Sequence, residues 1–355
     1  MKILFLNRRD IKNPSGGGAE IYTHEVAKGF VDKGAEVTIF SSRFKNSLPE
    51  EKIEGIRYLR RGNEFIVHFL GFSHAFRHKK DYDLIIDEFN GLGFFGFLIP
   101  NSILLIHQLY REFWFKELGV FGLIPYFIEP FLLKFYRKRL AITISDSTRK
   151  DLEKLGFKKI RIVLVAIKTP PLDSPPAKEA IPTVIFLGRL RSTKRPADAI
   201  KIFHFIRREL PEVRLWMVGR GPEEDRLKNL ARSSEGIMFH GWVGEKEKLG
   251  LLARAHVLVV PSVREGFGIN VIEAASRATP AVGYDVPGLR DSIKNGATGY
   301  LASGELDAAK KITSLLKDGA LYRKMSANCL EYAGEFNWSR RAGEFYRAAT
   351  EKDPL

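Results

Sequence analysis

A single cysteine, Cys329, in 355 residues rules out an internal disulfide and leaves no cysteine pair for a zinc site, which fits a reducing compartment. Carboxylates form no cluster convincing as a metal site. Asp81 and Asp83 make an Asp-x-Asp, but they precede a buried strand and read as solvated loop charges. Neither G-x-G-x-x-G nor G-x-x-x-x-G-K-[ST] follows the first strand, so the dinucleotide and P-loop fingerprints are both missing there. No sequence repeat of about 20–50 residues is visible. The opening MKILFLNRR is too short and ends too basic for a signal peptide, and reads instead as a first strand. A clean membrane span is missing too: the most apolar stretch, 110–139, is broken by Pro125, Glu129 and Pro130.

What is present is ordinary in bulk and unusual in charge. Apolar residues make up 45% and charged residues 28%, as in a soluble globular protein long enough for two domains. The formal charge is +15, about +9 before Thr169 and +6 after it, so neither half is a separate basic tail. Such a surface favours nucleic acid, an anionic membrane face or an anionic substrate.

The chain opens as strand (Ile3 to Leu6), loop (Gly16, Gly17, Gly18), helix (Ala19 to Val31) and strand (Val37 to Phe40). This predicts a doubly wound parallel α/β sheet, with ligands at the carboxyl ends of the strands. The three glycines sit where a ligand would approach, unless they are simply a flexible turn. Ile53 to Leu59 and Leu84 to Ile86 read as further strands. Ile103 to Ile106 runs directly into His107, a place where this architecture puts functional groups. Residues 113–139 are dense in Phe, Tyr, Trp and Leu and end in Arg137, Lys138 and Arg139. They fit either a helix lying on an anionic membrane or a helix packed into the first domain. Ala141 to Ser145 is a strand, after which Asp146 or Ser147 would cap a helix. Two proline pairs within 169–180 predict an extended linker between domains 1–168 and 181–335. The second domain restarts the α/β pattern, and a helix at 336–355 ends the chain.

The richest stretch runs from Val259 to Arg290, VVPSVREGFGINVIEAASRATPAVGYDVPGLR. Strand, Gly-rich turn and helix start offer free backbone N–H groups and a positive dipole end to an anion. Glu265 and Glu273 bracket that site about two helical turns apart. Beside a phosphate they would be repelled, so they suit sugar hydroxyls, and anion plus hydroxyls suggests a nucleotide-sugar. The alternative is two exposed helix-region charges. Departure of a diphosphate would build negative charge that needs a metal or fixed cations. Arg189 and Lys194, five residues apart around the turn after Thr183 to Leu187, would reach one diphosphate.

REGFGINVIEA with Glu265 and Glu273, GRLRSTKRP with Arg189 and Lys194, and the N-terminal GGGAE together resemble the retaining family 4 glycosyltransferases of the GT-B fold. ITISDSTRKDL, VGRGPEE, GLRDSIKNGATGYL and FNWSR extend the resemblance over nearly the whole chain. The resemblance implies two Rossmann-like domains facing across a cleft, the first for the acceptor and the second for the donor, with the last helix crossing back to the first. It implies ribose binding by Glu273, diphosphate binding by Arg189 and Lys194, and contact of Glu265 with the transferred sugar. Gly266, Phe267 and Gly268 would help through backbone N–H groups, Gly17 and Gly18 would lie beside the donor phosphates, and His107 beside the sugar. It further implies front-face transfer with retention, assisted by the leaving phosphate, without cofactor or metal. The usual Gly-Thr-Pro is Ala278-Thr279-Pro280 here, and Asn270 takes a position that is apolar or proline in some members. The expected partners are a nucleoside diphosphate-sugar and a glycan, lipid-linked or small-molecule acceptor. The expected location is cytoplasmic, with peripheral contact to the inner face of the membrane through 113–139. Nucleic-acid binding by the basic surface is the rival from another class; a sugar-nucleotide epimerase or a phosphorylase is the rival within the fold.

Overall fold

The computed structural model of the chain describes residues 1–351, without the side chain of Glu117. Two compact units make it up. The first comprises residues 1–115, 120–166 and the chain from Asn337 on; the second comprises 116–119 and 167–336.

In the first unit the strands are β1 (Lys2–Leu6), β2 (Glu36–Ser41), β3 (Glu50–Ile53), β4 (Ile56–Arg60), β5 (Leu84–Glu88), β6 (Ser102–Ile106), β7 (Ala141–Thr143) and β8 (Ile160–Ile162). They form one sheet in the order β3-β4-β2-β1-β5-β6-β7-β8. Only the β3–β4 pairing in it is antiparallel. Helices cover both faces of such a sheet, so its central strands read as unbroken apolar runs: Ile3 to Leu6 and Leu104 to Ile106 are fully buried. The run from Ile53 to Leu59, predicted as a single strand, is instead a hairpin. Glu54 and Gly55 both take positive φ, +48° and +84°, which turns the chain back in a two-residue loop. The helix after β7 is capped by Ser145, not by Asp146 or Ser147: its Oγ accepts from the Thr148 N–H at 3.3 Å. The final helix, Trp338–Thr350, packs on Gly18–Val31, close enough that a Cβ at Gly29 would overlap that of Ala342. Of the helix expected at 336–355, positions 352–355 lie outside the described residues.

The second unit holds β9 (Thr183–Leu187), β10 (Arg214–Val218), β11 (Ile237–Gly241), β12 (Val257–Val260), β13 (Ala281–Tyr284) and β14 (Gly299–Ala302). All are parallel, in the order β11-β10-β9-β12-β13-β14. The proline-rich segment 169–180 is no free linker. Leu172 donates its N–H to Ser276 O at 3.0 Å and Glu179 to Arg254 O at 3.0 Å. Lys178 Nζ donates to Thr279 Oγ1 at 2.7 Å. The two proline pairs keep the segment extended, and these hydrogen bonds lay it along the second unit.

Gly219, directly after β10, has φ +128° and donates its N–H to Gly241 O at 2.7 Å. A Cβ there would overlap the carbonyl of Gly188 after β9, so the carboxyl ends of β9 and β10 approach only because this residue has no side chain. Gly219→Ala is expected to destabilise the protein by roughly 2–4 kcal/mol, read from the urea midpoint. A change below about 0.5 kcal/mol, the usual size for an ordinary surface substitution, would refute the close approach.

Candidate active site

Strand order in the second sheet reverses at β9, which has β10 on one side and β12 on the other. Loops leaving β9 and β12 therefore diverge and open a crevice at the carboxyl ends. From β9 the chain runs through Gly188 and the exposed Arg189 into a short 3₁₀ turn, Ser192–Lys194. From β12 it runs through Pro261 to Gly268 into the helix Ile269–Ala275. The Val263 N–H donates to Thr193 O at 3.0 Å and ties the two loops together.

That tie brings Lys194 onto Glu265. Lys194 Nζ lies 2.5 Å from Glu265 Oε1 and 2.6 Å from Oε2, and Ser262 Oγ donates to Oε1 at 2.7 Å. The backbone N–H of Glu265 donates to Pro287 O at 3.0 Å. Gly288, at φ +83°, passes so near that a Cβ would overlap the Glu265 carbonyl. Glu265 is thus fixed by its side chain and its backbone together. Sequence spacing gave Lys194 and Glu265 separate tasks; the structure joins them as an ion pair.

Two turns along, Glu273 accepts from Lys248 Nζ through Oε1 at 2.7 Å. Lys248 comes from the helix Glu245–Arg254 and also reaches Glu245 at 2.8 Å. Burial raises the Glu273 pKa, and the Lys248 ammonium works against that rise. No hydrogen bond to Oε2 is found among the described residues, so Glu273 is held through one oxygen. Asn270 Nδ2 donates to Leu187 O at 3.0 Å and fastens the helix start to the end of β9. Gly266 is half-buried and Gly268, the left-handed N-cap, is buried. The Phe267 side chain is 3% exposed and packs on Phe336, ring centres 5.7 Å apart; the role expected of this residue is for its backbone N–H alone.

The other predicted residues lie in the first unit. Gly17 and Gly18 are exposed at the start of the helix Gly18–Val31, where the Gly17 N–H donates to Glu20 Oε2 at 2.6 Å. The Glu20 pKa is raised by burial and then by the like charge of Glu88. His107, just beyond β6, holds Nε2 3.1 Å from Glu88 Oε1. Glu88 also accepts from Thr23 Oγ1 at 2.6 Å and Asn90 Nδ2 at 3.0 Å. The Tyr22 ring meets His107 edge-on at 5.2 Å, and its hydroxyl donates to Val163 O at 2.9 Å. Sequence reading missed Glu88 because the strand was ended at Ile86, two residues short. Lys248 carried no signal at all, lying 25 residues from its partner in a polar helix. Among the described residues no group of three or more His, Cys, Asp or Glu is placed to hold a metal ion.

Two parallel α/β units, the second with carboxylates and cations at its switch point, define a GT-B glycosyltransferase fold. Residues 16–169 match the model of Glycosyltransferase Family 4, and residues 173–332 match that of Glycosyl transferases group 1. Together these models take in both units, and the chain belongs to the family 4 glycosyltransferases. Glycogen synthase of Mycobacterium tuberculosis is 33% identical over 161 residues, 44% of this chain and 39% of that protein. The phosphatidyl-myo-inositol mannosyltransferase of Mycobacterium leprae is 28% identical over 215 residues, 58% of this chain and 57% of that protein. The matches thus span about half the length, or less, of these curated relatives. Sucrose-phosphate synthase from Thermosynechococcus elongatus superposes with a TM-score of 0.79 at 21% identity, over 98% of both chains, a likeness of fold.

Ala278 stands where the family pattern has glycine, and its φ is +55°. A left-handed backbone costs an L residue about 1–2 kcal/mol, which gives the usual glycine a physical reason.

Replacing Lys248 by Met leaves the burial of Glu273 unopposed. The carboxyl pKa of Glu273 is expected to rise further in a pH titration followed by carboxyl NMR shifts. An unmoved midpoint would mean that the ion pair does not set the charge of Glu273.

Proposed function

We propose that the protein is a retaining glycosyltransferase that moves a sugar from a nucleoside diphosphate-sugar to an acceptor hydroxyl. The observation that carries this reading is the pair of carboxylates at the switch point of the second sheet. Glu265 is locked against Lys194, and Glu273 is held through one oxygen. In this reading Glu273 accepts hydrogen bonds from the ribose hydroxyls. Arg189 and Lys194 neutralise the diphosphate, together with backbone N–H groups of Gly266, Phe267 and Gly268. Glu265 contacts the sugar. Lys194 sits between an anion already present and one that arrives, so donor phosphate competes with Glu265 for its ammonium.

The bond from the anomeric carbon to the phosphate oxygen breaks with its electron pair leaving on phosphate, through an oxocarbenium-like state. The acceptor oxygen attacks from the same face and passes its proton to the departing phosphate, so configuration is kept. Charge on the leaving group is met by fixed cations, each worth roughly 10²–10³ in rate by analogy with oxyanion donors. No resident metal is needed in this scheme. His107, oriented by Glu88, and Gly17 and Gly18 serve the same reaction from the first unit.

The acceptor we favour is a lipid-linked or other cell-envelope glycan at the cytoplasmic face of the membrane, with the protein bound there peripherally. Residues 119–136 are long and apolar enough to cross a membrane by length and composition, yet only 22% of them are buried. Glu129 inside this stretch is buried and accepts from the N–H groups of Tyr110 and Arg111 and from Trp114 Nε1. That internal anchor suits a helix lying on a surface better than one crossing it. Val120, Phe121, Ile124, Phe127 and Phe131 are each at least 60% exposed. The Mycobacterium leprae relative is named for a phosphatidyl-myo-inositol acceptor, which is in line with this choice.

A thermal-shift panel of UDP, GDP, ADP and their common sugars, with and without EDTA, tests the donor site. One nucleotide is expected to raise the melting temperature equally in both conditions; no shift from any would remove the donor reading, and a shift abolished by EDTA would remove metal independence. Glu273→Ala is expected to weaken nucleotide affinity about tenfold or more, measured by calorimetry. Arg189→Ala is expected to lower kcat roughly 10²–10³-fold. Unchanged affinity or unchanged turnover would refute the respective role.

A further inference from the structure

The first unit has a second concave site, far along the sheet from His107 at the β4–β2 edge. Alternate residues of β4 share one face of the strand, so Arg57 and, just past the strand end, Arg61 point the same way. The helix Val67–Arg77 supplies Ser73, His74 and Arg77, which share a stripe at helical spacing, and His78 follows. These six line a hollow of about 450 Å³ with no carboxylate among its lining residues.

Glu50 holds Arg57 at 2.6 Å and Asp81 holds His78 at 2.8 Å, both away from the hollow's own lining. Arg61 donates only to the carbonyls of Pro49 and Arg60, and Arg77 makes no salt bridge among the described residues. The His74 pKa is pushed down to about 4, first by burial and then by the charges of His78, Arg57 and Arg61, with Asp81 opposing. Arginine forks of this kind match phosphate oxygens two at a time.

The rim beside this hollow is apolar and exposed. On the same helix Phe69 is 61% and Phe76 45% exposed, and Ile66 before it 48%. Phe69 also begins an unbroken chain of ring contacts. It meets Phe95 at 5.7 Å, Phe95 meets Phe97 at 6.3 Å, Phe97 meets Phe135 at 5.2 Å, and Phe135 meets Phe131 at 5.3 Å. The exposed aromatic side chains of the helix Val67–Arg77 and of the helix Leu123–Leu133 are therefore linked by ring contacts through the half-buried Phe95 and Phe97. A soluble phosphate would have no use for that rim, whereas a phospholipid has both a phosphate and chains to lay on it.

We propose that this hollow is a binding site for the phosphate of an anionic phospholipid, its acyl chains lying over Ile66, Phe69 and Phe76. The site rests on the membrane reading above for its source of phosphate and is independent of the transfer reaction. It extends the membrane face from residues 113–139 to a helix whose sequence carried no such signal.

Vesicle co-sedimentation separates the possibilities, using phosphatidylcholine alone and phosphatidylcholine mixed with phosphatidylglycerol. The double variant Arg61→Gln/Arg77→Gln is expected to lose roughly thirtyfold in affinity for the mixed vesicles. Lys158→Gln/Lys159→Gln, the same charge loss at exposed positions elsewhere in the first unit, is expected to lose much less. Equal losses would overturn the site in favour of unspecific attraction. Should the arginine variant melt early, Ser73→Glu places a negative charge in the hollow with the arginines intact, and unchanged binding by it would overturn the site equally. Ile124→Ser/Phe127→Ser reports on the other helix. Loss of vesicle binding there, with none in the hollow variants, would leave the membrane reading standing and remove this proposal. Wild-type protein that ignores every vesicle would remove both. Inorganic phosphate, followed by the His74 ring resonance, gives the last arm. Saturation by inorganic phosphate without any effect of the hollow variants on vesicle binding would reassign the hollow to a soluble anion and overturn the lipid.

Discussion

A parallel sheet buried on both faces admits almost no polar side chain along its strands, so chemistry is confined to the residues that follow each strand's carboxyl end. This constraint governs both units. Arg189 comes two residues after β9, Glu265 five after β12, and His107 one after β6, while Glu88 is the last residue of β5. Reversal of strand order at β9 then decides which of these ends become neighbours. Lys194 and Glu265 are 71 residues apart in sequence and within hydrogen-bond distance in space because β9 and β12 are adjacent. The Val263–Thr193 backbone hydrogen bond, the overlap-free passage of Gly288 and the Asn270–Leu187 bond all serve to hold that one juncture.

Each carboxylate near a strand end carries its own answer to the cost of burying charge. Glu265 is answered by Lys194 and Ser262, Glu273 by Lys248, and Glu88 by Thr23, Asn90 and His107. The answers differ in what they leave over. Both oxygens of Glu265 are engaged, whereas Glu273 is held through one. A ligand must therefore exchange partners at Glu265 and Lys194. In the proposed reading, binding and rearrangement would be coupled at this one residue pair.

The surface of the first unit follows a different logic from its core. Aromatic side chains on two helices remain exposed although the same chain has buried many others, and basic residues gather at their margins. Exposed apolar area of this extent marks an interaction face. Glu129 shows how the segment is held: a buried carboxylate takes three N–H donors and pins the helix Leu123–Leu133 to the loop after β6, so its outer face stays outward.

Sequence alone determined most strand positions of both sheets to within two residues, because fully buried strands must be apolar runs ended by polar or glycine residues; it missed β3 and set the last strand of the first unit too late in the chain. It also determined the family, since Glu265, Glu273, Arg189 and Lys194 stand in spacings set by local loops and one helix. Local chemistry failed where two conformations compete over a few residues, as at the Glu54–Gly55 turn and the Ser145 cap. It failed again for the proline-rich segment 169–180, whose extended backbone was legible and whose hydrogen bonds to Ser276, Arg254 and Thr279 were not. Only the tertiary structure decided the partners: Lys248 for Glu273, Lys194 for Glu265, Glu88 for His107, and the convergence of Arg61 with Arg77. The reason is physical. Spacing along a chain fixes what shares a helix face or a turn, whereas the meeting of separate elements depends on sheet order and packing, which no short stretch encodes.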